Sequence, residues 1–169
     1  MLRTECPHVV RRSDKHPTAT VFHMTEPGPS GVSTDELFAN KKVVMFAVPG
    51  ALAPTCTAAH LPGFVVNADA IKANGVDAIV CMSVNDPFVM TAWGQSQKAD
   101  AIQMVADPGA ELTKAMRLDI DLSGPGLGVR SKRFAAVLDN GSVTDLAVEA
   151  SPPEHTASSA ESVLERLCG

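Results

Sequence analysis

Apolar runs and helix-like segments alternate through the middle of the chain. Residues 43–48 and 77–83 are short, largely apolar runs rich in β-branched side chains, which is typical of strands buried on both faces. Residues 104–106 form a shorter run of the same kind. Helices are predicted between and after these runs, at residues 56–73, 87–98 and 110–116. This alternation predicts parallel strands joined by helical crossovers.

The last third of the chain predicts an antiparallel element. Residues 134–138 and 143–148 are two strand-like runs that flank the sequence Asp-Asn-Gly-Ser at residues 139–142, which favours a hairpin turn. Added to the parallel units, this hairpin predicts an α/β fold with a mixed central β-sheet and helices on both faces.

Local signals define further boundaries towards the two ends of the chain. Residues 19–22 are predicted to form an edge strand, and residues 27–31, rich in proline and glycine, a loop. Ser33 and Ser158 are each followed three residues later by a glutamate, and this capping box predicts a short helix after Ser33 and a last helix after Ser158.

Length and charge limit the possible functions. A chain of 169 residues suits one domain, which we place at residues 19–169 after a loosely structured arm at residues 1–18. The net charge of −5 disfavours general nucleic-acid binding and gives no sign of an anionic membrane surface as partner. No run approaches the roughly 18 apolar residues of a membrane-spanning helix. The arm lacks a secretory signal, and its acidic residues and prolines argue against a transit peptide, so a cytoplasmic location is expected.

The cysteines and histidines do not suggest a metal site. The chain has four cysteines, at Cys6, Cys56, Cys81 and Cys168. None forms a Cys-x-x-Cys pair, and four scattered cysteines are too few for a disulfide scaffold. The histidines show no metal-ligand spacing, so no metal site is expected from them.

Cys56 is the strongest candidate for chemistry. It follows a buried strand and a Pro/Gly turn, which places it in the first turn of a helix. Unpaired amides and the helix dipole stabilise an anion there, and such positions lower the pKa of cysteine thiols, whose thiolate is the reactive form. The alternative is a small, inert core residue, as most free cysteines are.

The segment around Cys56 resembles the active-site loop of peroxiredoxins. Residues 49–56 match the spacing Pro-x-x-x-(Thr/Ser)-x-x-Cys at Pro49 and Cys56. Further landmarks similar to the peroxiredoxin-5 subfamily occur in order at residues 60–64, 84–90, 92–94, 106–108 and 129–134. The resemblance covers about residues 43–149 and implies a thioredoxin-like fold and a homodimer. It also implies a thiol peroxidase that reduces hydrogen peroxide and alkyl hydroperoxides through a cysteine sulfenic acid and needs no cofactor, whether metal, haem or flavin.

The resemblance also implies roles for residues around the cysteine. Arg130 matches an arginine that reaches the cysteine from a neighbouring strand, stabilises the thiolate and orients the peroxide; the alternative is a solvated surface charge. Pro49 would shield the thiol from water, although a simple turn proline needs no catalysis. Helical spacing, and not the resemblance, singles out His60: it lies one turn after Cys56, where it would touch the thiolate or a dimer partner, or would be a histidine of the core or interface.

One position departs from the family pattern. The family's threonine or serine, whose hydroxyl bonds the peroxide and the cysteine sulfur, is replaced by Ala53. By analogy with removing one donor from an oxyanion site, the loss would be about 100- to 1000-fold in rate. The alternatives are therefore an active peroxidase in which another donor serves, an impaired one acting as a redox sensor or partner-binding module, and an engineered substitution that weakens catalysis.

The remaining cysteines favour a one-cysteine cycle. Two-cysteine members of the subfamily carry a resolving cysteine near residues 156–158, where this chain has none. The sulfenic acid would then be reduced by an outside thiol such as glutathione, glutaredoxin or thioredoxin. Cys81 is expected to be inert in the core, and Cys6 or Cys168 would resolve the sulfenic acid only if its terminus reaches the site. An unrelated thioredoxin-fold protein with a buried Cys56 is the last alternative.

Overall fold

The computed structural model describes residues 10–169. The strands are β1 Thr20–Thr25, β2 Gly28–Ser33, β3 Lys42–Val48, β4 Ala78–Ser83, β5 Gln103–Ala106, β6 Asp119–Leu122, β7 Gly128–Ser131, β8 Phe134–Asp139 and β9 Ser142–Val148. The helices are α1 Thr34–Phe38, α2 Leu61–Ala73, α3 Pro87–Ser96, α4 Glu111–Ala115 and α5 Ala160–Cys168, and a wide π-helical turn, Cys56–His60, leads directly into α2.

The central sheet is mixed, as predicted. Its strand order is β2-β1-β5-β4-β3-β8-β9, in which β3, β4 and β5 run parallel while the outer pairings are antiparallel. A second, two-stranded sheet pairs β6 with β7. The architecture confirms the predicted thioredoxin-like α/β fold with helices on both faces of the sheet.

The central strand β3 supplies both apolar layers of the core. Its alternate side chains Val44, Phe46 and Val48 pack with α2, α3 and α5 on one face. Val43, Met45 and Ala47 pack with α1 and α4 on the other. Since strand side chains alternate between faces, a strand buried on both sides needs the continuous apolar run that the sequence has there.

The sheet register brings three segments to one edge. Parallel strands β3 and β4 end there, at Val48 and Ser83, and the residues that follow them meet at that edge. Strand β8 is antiparallel to β3, with Ala47 paired to Phe134, so the residue before β8 lies at the same edge. The site described below is built from these segments.

Two predictions about strands are wrong. Strand β1 is not at the edge, since it lies between β2 and β5. Most of the predicted loop at residues 27–31 belongs to the edge strand β2, where Pro29 is tolerated because an edge strand has an unpaired side. The β6–β7 hairpin, rich in glycine and short in apolar residues, was not predicted.

The last helix begins one residue later than predicted. Its N-cap is Ser159, whose hydroxyl accepts a hydrogen bond from the Ser162 amide. Ser158 is fully buried and its hydroxyl donates to Glu149 at 2.8 Å instead. The capping signal located the helix, but two adjacent serines left the cap ambiguous.

The described part of the predicted arm is tied to the β8–β9 hairpin. Lys15 forms an isolated bridge with Ser142, and the His16 amide donates to the Gly141 carbonyl at 2.9 Å. His16 and Val10 are buried. Cys6 lies outside the described residues. Within residues 10–169, no helix combines the length and apolar character needed to cross a membrane.

Candidate active site

Cys56 lies at the start of a helix with free amides beside it. The first helical hydrogen bond runs from the Thr57 amide to the Ala53 carbonyl at 3.0 Å. The amides of Thr55 and Cys56 precede that bond and donate to no acceptor within residues 10–169. The Cys56 side chain is fully buried. Two free donors in the first turn of a helix favour negative charge on a group held there.

Arg133 is the cation that faces the thiol. Its Nη2 donates to Cys56 Sγ at 3.3 Å. The Pro152 carbonyl accepts from Nε at 3.1 Å and from Nη2 at 3.0 Å. Arg133 as a whole is 2% exposed, so its charge is removed from water. A buried cation is costly unless polar groups pair with it, and the Cys56 sulfur is one of the groups that Arg133 faces.

His60 lies behind Arg133 as a neutral acceptor. Its Nδ1 is 2.9 Å from Arg133 Nη1, and because arginine can only donate, Nδ1 accepts. Its Nε2 then carries the hydrogen and donates to the Ser158 carbonyl at 3.0 Å. Burial, followed by the charge of Arg133, lowers the pKa of His60 to about 3. The histidine is a fully buried core residue that orients Arg133, with neither a hydrogen bond to the thiol nor the exposed surface that a dimer contact requires.

The prediction that Arg130 reaches the cysteine is wrong in this structure. Its Nε donates to the Leu127 carbonyl at 2.7 Å and its Nη1 to the Val84 carbonyl at 2.9 Å. A Cβ added to Gly50 would lie 3.6 Å from that Nη1, so the guanidinium sits against the loop after β3. Arg130 is on β7, paired with Ile120 of the small sheet, whereas Arg133 directly precedes β8 of the central sheet.

Pro49 opens the loop that carries Cys56 and is buried. The same loop is fixed by the Ala51 amide, which donates to Asn85 Oδ1 at 3.0 Å. Ser83 Oγ donates to the same oxygen at 2.7 Å. The burial of Pro49 agrees with a shielding function, which stays a prediction.

Ala53 leaves the loop side of the site without a side-chain donor. Its methyl group packs at the border of the core, and its carbonyl is used by the helix. Thr57 follows Cys56 in the sequence, whereas Ala53 precedes it, and the Thr57 hydroxyl accepts a hydrogen bond from Trp93 Nε1 at 3.1 Å. Within residues 10–169, Arg133 is the side chain that donates a hydrogen bond to the thiol, and the two free amides are further donors in the same turn.

Neither of the other described cysteines forms a disulfide with Cys56, since Cys56, Cys81 and Cys168 are all free thiols. Cys81 is buried in the core, as expected, and burial followed by the nearby Cys56 raises the pKa of its thiol well above the ordinary value. Cys168 is exposed and lies 3.5 Å from Asn74 Oδ1, beyond the far end of α2. At about 1.5 Å per helical residue, that position is roughly 25 Å from Cys56.

The segment after β9 was missed by the sequence analysis. It contributes the Pro152 carbonyl to Arg133 and the Ser158 carbonyl to His60. Every residue has a main-chain carbonyl, so the sequence does not indicate which of them will accept these hydrogen bonds. In addition, about 100 residues separate this segment from Cys56 in the sequence. Within residues 10–169, no group of three or more His, Cys, Asp or Glu side chains is placed to hold a metal ion.

Comparisons with known proteins agree on one family. The family model described as Redoxin matches residues 11–164. Peroxiredoxin-2D of Arabidopsis thaliana is 49% identical over 137 residues, which is 80% of this chain and 84% of that protein. The crystal structure of reduced Prx3 from Vibrio vulnificus in complex with hydrogen peroxide has a TM-score of 0.91 and 48% identity, covering 94% of this chain and 99% of that one. Peroxiredoxin 5 from Alvinella pompejana has a TM-score of 0.83 and 27% identity, with coverage of 94% and 98%.

Proposed function

Because the chain belongs to the redoxin family and is a peroxiredoxin, a thiol peroxidase, we propose that Cys56 is its peroxidatic nucleophile and Arg133 its catalytic cation. The observation that carries this proposal is the 3.3 Å contact between Arg133 Nη2 and Cys56 Sγ. The similarity to a Vibrio vulnificus protein crystallised with hydrogen peroxide supports a peroxide as substrate. The family assignment does not favour the redox-sensor alternative.

The reaction is a displacement at one peroxide oxygen. The Cys56 thiolate attacks that oxygen, the S–O bond forms and the O–O bond breaks. The leaving oxygen departs as hydroxide or alkoxide and takes a proton, giving water or an alcohol and the sulfenic acid of Cys56. Arg133 and the amides of Thr55 and Cys56 stabilise the charge that develops on the two oxygens.

The sulfenic acid is reduced by an outside thiol. Condensation with that thiol releases water and forms a mixed disulfide, and a second thiol then regenerates Cys56. Residues 156–158 have no cysteine, Cys81 is buried, and Cys168 points to the far end of α2. These observations support a one-cysteine cycle with glutathione, glutaredoxin or thioredoxin as reductant.

A homodimer of the peroxiredoxin-5 type completes the proposal. Four large apolar side chains are exposed on the loop that carries Cys56, at the start of α3 and at or before β7, and their exposed fractions are 65% for Leu52, 64% for Phe88, 43% for Leu127 and 38% for Val129. Exposed apolar side chains that gather in one patch favour an interface, and we take these four to form that patch. Trp93, in contrast, is fully buried and cannot make a dimer contact.

The dimer is tested by adding a charge to this patch. Phe88→Asp should convert the protein to a monomer in multi-angle light scattering, because a carboxylate cannot be buried in an apolar interface without a partner. Val66→Asp, at the 81% exposed position on α2, is the matched control and should leave the mass unchanged. A wild-type monomer at micromolar concentration, or a dimeric Phe88→Asp variant, would contradict the proposed interface.

The nucleophile is tested by trapping its oxidised form. One equivalent of hydrogen peroxide with a sulfenic-acid reagent, followed by intact mass and peptide mapping, should place one adduct on Cys56. Cys56→Ser should abolish both the adduct and peroxide consumption, whereas the matched Cys81→Ser variant should keep both. Adduct formation mainly on another cysteine, or full turnover by Cys56→Ser, would refute the assignment.

A further inference from the structure

Glu149 is a buried carboxylate at the end of β9 that has no ion pair within residues 10–169. Its side chain is 6% exposed. Three donors converge on Oε1, namely the Thr156 amide, the Ser158 amide and the Ser158 hydroxyl, each at 2.8 Å. A buried carboxylate is costly unless its lone pairs are satisfied, and here hydrogen bonds from one short segment satisfy them.

That segment is the same one that holds Arg133. The Pro152 carbonyl accepts from Nε and Nη2 of Arg133. The Ser158 carbonyl accepts from His60, which in turn accepts from Arg133 Nη1. The segment therefore provides one direct and one indirect support for the guanidinium.

Glu149 also fixes the segment relative to the backbone of Arg133. Its amide donates to the Arg133 carbonyl at 2.9 Å, extending the pairing of β8 with β9. The segment thus leaves the sheet at Glu149, beside Arg133. It then turns back, so that Thr156 and Ser158 donate hydrogen bonds to the Glu149 carboxylate. The closed loop leaves the Pro152 carbonyl little freedom to move away from the guanidinium.

The bonding pattern favours the ionised carboxylate. Burial alone would raise the pKa of Glu149, but the hydrogen bonds from Ser158 and Thr156 outweigh it and the pKa is lowered. Protonation would remove the negative charge that makes these three hydrogen bonds to Oε1 strong. Glutamine can accept some of these bonds but carries no charge, and alanine accepts none, so the two substitutions separate charge from shape.

We propose that Glu149 is a positioning residue for the peroxidase reaction, which holds residues 150–158 so that the Pro152 carbonyl and His60 keep the Arg133 guanidinium against Cys56. The inference rests on the function proposed for Arg133. Glu149 itself makes no hydrogen bond to Cys56, so its effect on the chemistry passes through Arg133.

The test compares Glu149→Ala and Glu149→Gln with the matched control Glu154→Ala. Glu154 is an exposed glutamate of the same segment, and within residues 10–169 its carboxylate accepts one hydrogen bond, from Ser151 Oγ at 2.9 Å. Three quantities are measured in the full-length protein: the rate constant for Cys56 oxidation by hydrogen peroxide, the pH dependence of Cys56 alkylation, and unfolding in urea.

Glu149→Ala should lower the oxidation rate about 10- to 100-fold, less than loss of an electrostatic donor itself. It should also move the midpoint of alkylation to higher pH, since a displaced Arg133 no longer stabilises the thiolate. Glu149→Gln should show a smaller change in the same direction, and Glu154→Ala should stay within about twofold of wild type. A less stable Glu149→Ala protein with unchanged oxidation and alkylation would overturn the proposal and leave Glu149 a structural role only.

A double-mutant cycle separates positioning from general destabilisation. In an Arg133→Gln background, Glu149→Ala should add less than about twofold to the loss of rate, because the residue through which it acts is already gone. A full additional loss would overturn the proposal. If Glu149→Ala does not fold, the same cycle with Glu149→Gln decides. Failure of wild-type Cys56 to react with peroxide would instead refute the proposed function, so the two failures are distinguishable.

Discussion

The two sides of Cys56 differ in the hydrogen-bond donors that they offer to the thiol and its substrate. On one side, Arg133 is buried and each of its three nitrogens has an acceptor, supplied by the thiol, His60 and Pro152. On the other side, the loop before the helix offers two main-chain amides but has a methyl group at Ala53, where the peroxiredoxin pattern that this loop resembles has a threonine or serine. The site thus has a fixed cation and an incomplete set of neutral donors.

The difference indicates which part of the site carries the activity. A charged donor in a buried site contributes roughly twice as much as a neutral hydroxyl donor. The position of Ala53 also matters, because its carbonyl accepts the first bond of the helix and the residue is therefore at the N-cap. A hydroxyl at the N-cap accepts from an amide two or three residues on, here Thr55 or Cys56. With alanine, both amides stay free for a peroxide, which partly offsets the missing hydroxyl.

The largest effect is expected on the arginine side. Arg133→Lys keeps the charge, but a single ammonium cannot reach the thiol, His60 and Pro152 in the fixed geometry of a guanidinium. The rate of Cys56 oxidation should fall by at least about tenfold in Arg133→Lys and by about 100- to 1000-fold in Arg133→Gln. The rate of Cys56 alkylation at low pH should also fall, less in Arg133→Lys than in Arg133→Gln. Equal rates for the lysine and wild-type proteins would show that charge alone suffices.

A smaller gain is expected on the loop side. Ala53→Thr supplies the missing hydroxyl and should raise the rate of oxidation about 10- to 100-fold. The matched control is Ala53→Val, which has nearly the same shape and no hydroxyl. Stopped-flow fluorescence can follow the reaction, because the single tryptophan, Trp93, donates to Thr57 next to Cys56. If the threonine and valine variants react at the same rate, the main-chain amides already serve in place of the hydroxyl.

The smallest effect is on stability, and it concerns the support behind Arg133. His60 is neutral in the folded protein because its pKa is lowered to about 3. In the unfolded chain its pKa is near 6.5, so below that value the unfolded state binds more protons and stability falls as the pH falls. Between pH 7 and pH 5 the loss from His60 is about 2 kcal/mol.

Urea unfolding at the two pH values measures this contribution. Glutamine in His60→Gln keeps a donor and an acceptor but does not titrate. Between pH 7 and pH 5, the free energy of unfolding of this variant should therefore fall by about 2 kcal/mol less than that of the wild type. The window lies above the ordinary pKa of carboxylates, which keeps Glu149 out of the comparison. The same pH dependence in both proteins would show that His60 is not the group responsible.

Much of the fold and the position of Cys56 were predictable because local patterns determine them. The continuous apolar runs of β3 and β4 are the signature of strands covered on both faces, and the Pro/Gly turn after β3 places the thiol at a helix start. The β6–β7 hairpin had no comparable apolar alternation, and its backbone depends instead on two glycines with positive φ, Gly126 in the turn and Gly128 at the start of β7.

The identity of the arginine could not be decided from spacing. Arg130 and Arg133 occur in one short motif, and both lie near the correct edge of the sheet. Only the register decides between them, because pairing of Phe134 with Ala47 puts Arg133 beside the loop that carries Cys56. The supporting acceptors at Pro152 and Ser158 are main-chain carbonyls, which any sequence provides, and their position depends on the fold.

The central claim is that Arg133, and not Arg130, is the cation that activates Cys56. The most direct measurement is the rate constant for oxidation of Cys56 by hydrogen peroxide in Arg133→Gln and Arg130→Gln, compared side by side by stopped-flow tryptophan fluorescence. We expect a loss of about 100- to 1000-fold for Arg133→Gln and of less than about tenfold for Arg130→Gln, which only loosens the loop. The reverse order, or equal losses, would contradict the account.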